Sequence, residues 1–218
     1  MRGEVGGPMV RRPRRRGRSP RQLSKSEAMR ALALETTIQC LADRPYSEVS
    51  LAAIAQRGNL SRGGVQYHFP TRLALLKAAI EYLHERRLET FRHDLASCPP
   101  GADLLDHMVD ISWKRMGERH FRAYQELVLA ARGEPELAVV LQACHRSYMR
   151  AWQEIARSVF GWDVTRPAVA KAGIIGHFLL DGMAFGRIGG RLSEAEVEDL
   201  LGYVKAILRE ATRGAASH

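Results

Sequence analysis

The stretch Ser50-Leu-Ala-Ala-Ile-Ala-Gln-Arg-Gly-Asn-Leu-Ser-Arg-Gly-Gly-Val-Gln-Tyr-His-Phe69 decides how this chain folds. Ser50 is a residue type that caps helix N-termini, and Leu51, Ile54 and Ala55 form the inward stripe of a short helix. Arg57-Gly58-Asn59 ends that helix, because Gly and Asn tolerate the left-handed backbone a helix end often needs. Ser61 caps a second helix, Arg62 to Phe69, which Pro70 stops. Val65 and Phe69 are four residues apart and point inward with Leu60. Gly63 and Tyr67 then face outward, flanked by Gln66 on one side and by Gly64 and His68 on the other.

Two short helices joined by a tight turn form a helix-turn-helix, whose second helix fits the DNA major groove. Gln66 is expected to make paired hydrogen bonds to adenine, and Arg62, Tyr67 and His68 to reach phosphates. Arg72, in the first turn of the next helix, is a further phosphate candidate. Ser50 and Ser61, at the two helix N-termini, complete the candidate set. Each helical glycine costs about 1 kcal/mol relative to alanine. Close approach to a DNA backbone would explain why Gly63 and Gly64 stand there together. The plainer alternatives are a loop at Ser61–Gly64 and core packing of Tyr67 and His68.

Working outward, residues 1–21 carry eight arginines against Glu4, a net +7 of the formal +9. This head includes Arg14, Arg15, Arg16 and Arg18, is broken by Pro13, Gly17 and Pro20, and reads as a disordered arm over residues 1–20. Met9 just before the basic run is an alternative start. Such an arm suits a polyanion and, beside a helix-turn-helix, suits an adjacent minor groove. Binding by the arm alone would make the protein a non-specific nucleic-acid binder, which is the competing expectation.

The remaining 197 residues are nearly balanced in charge and rich in Ala, Leu, Arg and Glu, a mix that favours helices. A first helix is expected after Ser24, with Glu27 completing a capping box, ending at Asp43-Arg44-Pro45. Thr71 caps a long fourth helix running to Pro99. Five more follow, near 102–116, 119–132 and 136–160, after Thr165, and from Ser193 with a capping-box Glu196. The chain therefore reads as all-α, with an amino-terminal three-helix domain over 21–83, a larger helical domain over 84–213 and a short tail, 214–218.

The segments Ser50-Leu-Ala-Ala-Ile-Ala, Leu60-Ser-Arg-Gly-Gly-Val-Gln-Tyr-His-Phe-Pro-Thr-Arg72 and Leu75-Leu76 resemble the DNA-binding signature of the TetR/AcrR family of bacterial regulators. Asn59 stands where the family usually has glycine, Gly64 where it often has Thr, and Gln66 where it often has Tyr. The resemblance implies a cytoplasmic, homodimeric repressor that binds a palindromic operator in double-stranded DNA. It also implies a carboxy-terminal domain that takes a small-molecule effector, and a dimer built from the last two helices.

In that half, Trp113, Met116, Phe121, Tyr124, Tyr148, Met149 and Trp152 are the candidates to line an apolar cavity, with core packing the plainer reading of each. Gly182 and Gly186 share a helix face and, with Val197, Leu201, Val204 and Leu208, form the candidate dimer interface. The alternative there is a helix that stops near Gly182.

Cys40, Cys98 and Cys144 form no CxxC motif, which suits a reducing compartment, and a redox role for Cys98 or Cys144 is a minority reading. No apolar run is expected to span a membrane; the best, Gly173–Leu180, is interrupted by His177. No ligand spacing for a metal, nucleophile elbow, phosphate loop or dinucleotide fingerprint is present, so no metal, cofactor or catalysis is expected.

Overall fold

The computed structural model describes residues 20–213. Among them are nine α-helices, one 3₁₀ turn at Tyr46–Glu48 and no strand, so the chain is all-α. The helices are α1 (Pro20–Asp43), α2 (Leu51–Arg57), α3 (Arg62–His68), α4 (Arg72–Ala96), α5 (Leu104–Met116), α6 (Arg119–Ala130), α7 (Pro135–Phe160), α8 (Pro167–Ile188) and α9 (Glu194–Thr212). The arm arginines Arg14, Arg15, Arg16 and Arg18 lie outside the described residues.

Local capping chemistry starts most of these helices. The hydroxyls of Ser50, Ser61 and Thr71 accept from the amides of Ala53 (3.1 Å), Gly64 (3.1 Å) and Ala74 (3.0 Å). Ser193 and Glu196 close a full capping box on α9. The expected box at Ser24 and Glu27 is corrected: α1 already begins at Pro20, so both residues lie within the helix. On α1 the apolar Leu32 is exposed, while Thr37 and Cys40 are buried. Asn59 takes the left-handed turn position, φ 49°. Gly58 answers a different need: a Cβ there would sit 3.0 Å from the Thr36 hydroxyl.

Two hydrophobic cores stack along the molecule. One joins α1–α3 and the first half of α4 to Ala123 and Leu127 of α6 and to Leu137, Leu141 and Cys144 of α7. The other joins Leu88, Phe91 and Leu95 of α4 to α5, the second half of α7, α8 and α9. Within α4 the two cores divide between Leu83 and Leu88, while residues of α6 and α7 join the first. A 25-residue helix is about 37 Å long, so α4 and α7 traverse both cores and tie them together.

Helix α8 does not stop at Gly182 but continues to Ile188. The expectation of no membrane-length apolar run is corrected as well, because α8 is long and apolar enough by composition to cross one. It packs on α5 and α9, with part of its apolar surface exposed.

Candidate functional site

Helix α3 is held from below and open above. Val65 and Phe69 are buried in the first core, while Arg62, Gly63, Gln66 and Tyr67 are exposed, Tyr67 to 61%. Ser50 and Ser61 are exposed at the N-termini of α2 and α3, where their hydroxyls are already engaged as caps. The Tyr67 ring stands edge-on to that of His68, centroids 5.2 Å apart, on a helix fixed by its buried neighbours.

Three residues expected at the DNA surface have other duties. A Cβ on Gly64 would lie 2.7 Å from Met29 of α1 and 2.7 Å from the Ser61 hydroxyl, so this glycine admits α1 rather than a phosphate backbone. Gly63 has nothing within 4 Å of its Cβ position and keeps the open face. His68 is half-buried, its Nε2 3.2 Å from the Ser26 hydroxyl of α1. Arg72 donates from Nε to the Val49 carbonyl and from Nη2 to the Tyr46 carbonyl, both at 2.7 Å. Its guanidinium also lies 3.9 Å from the centre of the Tyr46 ring. Arg72 is therefore a brace for the segment leading into α2, and Tyr46 in turn donates its amide to Glu126 of α6 at 2.6 Å. Arg72→Met is expected to cost about 1–2 kcal/mol in urea unfolding, from two part-buried charge-assisted hydrogen bonds. Unchanged stability with weakened DNA binding would return Arg72 to the phosphate role.

Within the second core lies a cavity of about 540 Å³. Met116, Phe121, Tyr148, Met149 and Trp152 line it. Trp113 and Tyr124 do not: Trp113 packs on the core beneath Arg187, and Tyr124 lies between His84 and Arg87. Sequence reasoning missed the polar wall, Arg87, His145 and His177. A histidine interrupting the most apolar helix was the one signal that pointed there.

The cluster around that wall is aromatic and centred on a buried histidine. His84 stacks on Tyr148 at 4.7 Å, and neither ring nitrogen has a hydrogen-bond partner among the described residues. Burial first, then the charge of Arg87, holds its pKa down at about 3. Burial also lowers the pKa of His145 and of His177 and raises that of Asp181. His177 and Asp181, 3.6 Å apart, are thereby favoured as a neutral pair. The same effect raises the Cys144 thiol, which makes it a poor redox nucleophile. Among the described residues no three His, Cys, Asp or Glu side chains converge as a metal site.

Residues 33–79, from the second half of α1 through α2 and α3 into α4, match the family model for bacterial regulatory proteins of the tetR family. The chain's helix-turn-helix region is therefore of the TetR family. The chain is 30% identical over 130 residues to the HTH-type transcriptional regulator CymR of Pseudomonas putida. That match spans 60% of this chain but only 62% of CymR. A crystal structure of a TetR-family regulator from a Rhodococcus species superposes with a TM-score of 0.64 at 18% identity, over 84% of this chain and 99% of the other. The multidrug-binding protein EbrR, solved with ethidium, superposes at 0.58 and 21% identity, over 84% and 98%. The two superpositions show a common fold.

In the carboxy-terminal half the expected dimer residues need correction. Val197, Val204 and Leu208 are buried in the chain's own second core, and Leu201 is half-buried against it. A Cβ on Gly186 would meet Leu192 at 2.9 Å, so that glycine serves packing within the chain. Gly182 alone of the set faces open space. Around it on α8 stand Ile175, Phe178 (66% exposed) and Phe185, and on α9 Tyr203 and Ile207 are exposed.

Proposed function

We propose that this protein is a ligand-responsive transcription regulator of the bacterial cytoplasm, a repressor that binds a palindromic DNA operator as a homodimer. One observation carries the reading. A short helix with an exposed Arg62–Gly63–Gln66–Tyr67 face is fixed on one core, and helices α4 and α7 run from that core to a cavity in the other. Occupying the cavity would bias the set of α4 and α7 and so the spacing of two α3 helices. The ethidium bound by EbrR supports a fold able to hold small molecules. The exposed apolar face of α8 and α9 suits a second copy, as an isologous contact suits a palindromic site.

The test is fluorescence anisotropy with palindromic DNA from upstream of the protein's own gene. Specific binding is expected, and equal affinity for scrambled DNA at every salt concentration would refute the proposal. Tyr67→Ala is expected to weaken operator binding about tenfold or more without lowering the melting temperature. The arginine-rich head favours the second reading, non-specific binding. Removing residues 1–20 separates the two: specificity survives at lower affinity if α3 reads bases, and all binding is lost if the arm acts alone.

A further inference from the structure

The cavity is not neutral. Three guanidinium groups line it, from Arg86, Arg87 and Arg115. Arg86 pairs with Glu89 at 2.8 Å, and Arg115 pairs with Asp94 and reaches Glu118 at 4.0 Å. Arg87 has no carboxylate within 4.0 Å among the described residues. Its guanidinium is instead held over two rings, 5.4 Å from the centre of Tyr124 and 5.0 Å from that of Tyr148. Aromatic faces fix a cation in place without neutralising it. Beside it in the lining are His145 and His177, both able to donate a hydrogen bond when neutral. The other walls are apolar and partly flat, with Phe91, Met108, Trp152 and Trp162. The volume is that of a site for a drug-sized molecule.

We propose that the cavity takes an organic monoanion with an aromatic body, its anionic group paired with Arg87 and its rings against Phe91 and Trp152. This rests on the reading of the cavity as an effector site and names the class of effector. A carboxylate or sulfonate matches the planar fork of Arg87, forming charge-assisted hydrogen bonds beside largely apolar walls. A cation would meet a half-buried guanidinium that no carboxylate pairs within 4.0 Å, and a neutral molecule would gain nothing from its charge.

Three fluorescent probes of similar size test the proposal on the full chain without DNA. They are 8-anilinonaphthalene-1-sulfonate, its neutral parent N-phenyl-1-naphthylamine, and the cation ethidium. The sulfonate is expected to bind saturably, at least about tenfold tighter than either other probe, as one charge-assisted hydrogen bond allows. Arg87→Met is expected to remove that advantage while leaving the neutral probe within twofold, and Arg87→Lys to restore most of it. Gly173→Phe, placing a ring into the cavity where a Cβ at Gly173 meets nothing within 4 Å, is expected to abolish binding. Equal binding of sulfonate and parent, preference for ethidium, or indifference of the sulfonate to Arg87→Met would overturn the anion class and leave the effector cavity standing. Binding untouched by Gly173→Phe, or no binding of any probe, would overturn the cavity reading together with the proposal. Should Arg87→Met melt early, Arg87→Gln replaces it, and the wild-type comparison of the three probes decides the charge class by itself.

Discussion

Phe69→Ala lowers the free energy of unfolding by about 3–5 kcal/mol, the cost of deleting a fully buried ring and leaving a cavity. Phe69 is 2% exposed and ends α3, where its amide donates to the Val65 carbonyl at 2.9 Å. Its ring belongs to the core that holds α1, α2 and α4 together, and the Arg30 guanidinium lies 5.8 Å from its centre. Removing it takes away the floor of α3, so the outward face loses its orientation as well as its stability. Urea unfolding followed by circular dichroism measures the effect. Tyr67→Ala, two residues away and pointing out, is the control and should change stability by less than about 0.5 kcal/mol, as surface substitutions do. A Phe69→Ala loss below 1 kcal/mol would mean that the site collapses around the missing ring and that α3 does not depend on it.

Acidification is the second large effect, and His84 is its source. The ring is 5% exposed and its pKa falls from 6.5 to about 3. Below pH 6.5 the unfolded chain takes up a proton that the folded chain refuses. Stability is therefore whole above that value and is lost as the pH falls toward 3. Followed through the whole window the loss is about 5 kcal/mol, of which about 2 kcal/mol has appeared by pH 5. His84→Phe keeps the stacking on Tyr148 and removes two unpartnered nitrogens. The variant should match or exceed the parent at pH 7.5 and lose about 2 kcal/mol less on going to pH 5. Some slope remains in it, because burial lowers the pKa of His145 and His177 in the same sense. Parallel stability profiles for parent and variant between pH 7.5 and 5 would show that His84 charges freely in the folded state.

Features that depend on residues a few positions apart were legible in the chain. The caps at Ser50, Ser61, Thr71 and Ser193 form because each hydroxyl reaches an amide three residues on. The inward pair Val65 and Phe69 follows from helical spacing alone. Asn59 was legible as a left-handed position from its side chain. Arg72, Gly64 and His68 read wrongly for the opposite reason. Their partners, Tyr46, Met29 and Ser26, are 26, 35 and 42 residues away, and no local pattern announces them. Arg87 escaped notice because a charged residue on a helix looks like part of a solvated face until the neighbouring helices are in place.

Helix α8 shows the limit most clearly. Its sequence is apolar on all sides, so periodicity does not distinguish the side that covers the core from the side left open. The sequence by itself determined the helices, the capped starts of α2, α3, α4 and α9 and which side of the Arg62–Phe69 helix turns outward, because hydrogen-bond caps and a 3.6-residue period are local properties. Only the tertiary structure decided which apolar faces of α8 and α9 remain exposed, which arginine braces a loop and which stands uncompensated in a cavity. Those depend on what packs opposite each side chain, and burial and charge compensation are properties of the assembled neighbourhood rather than of the residue.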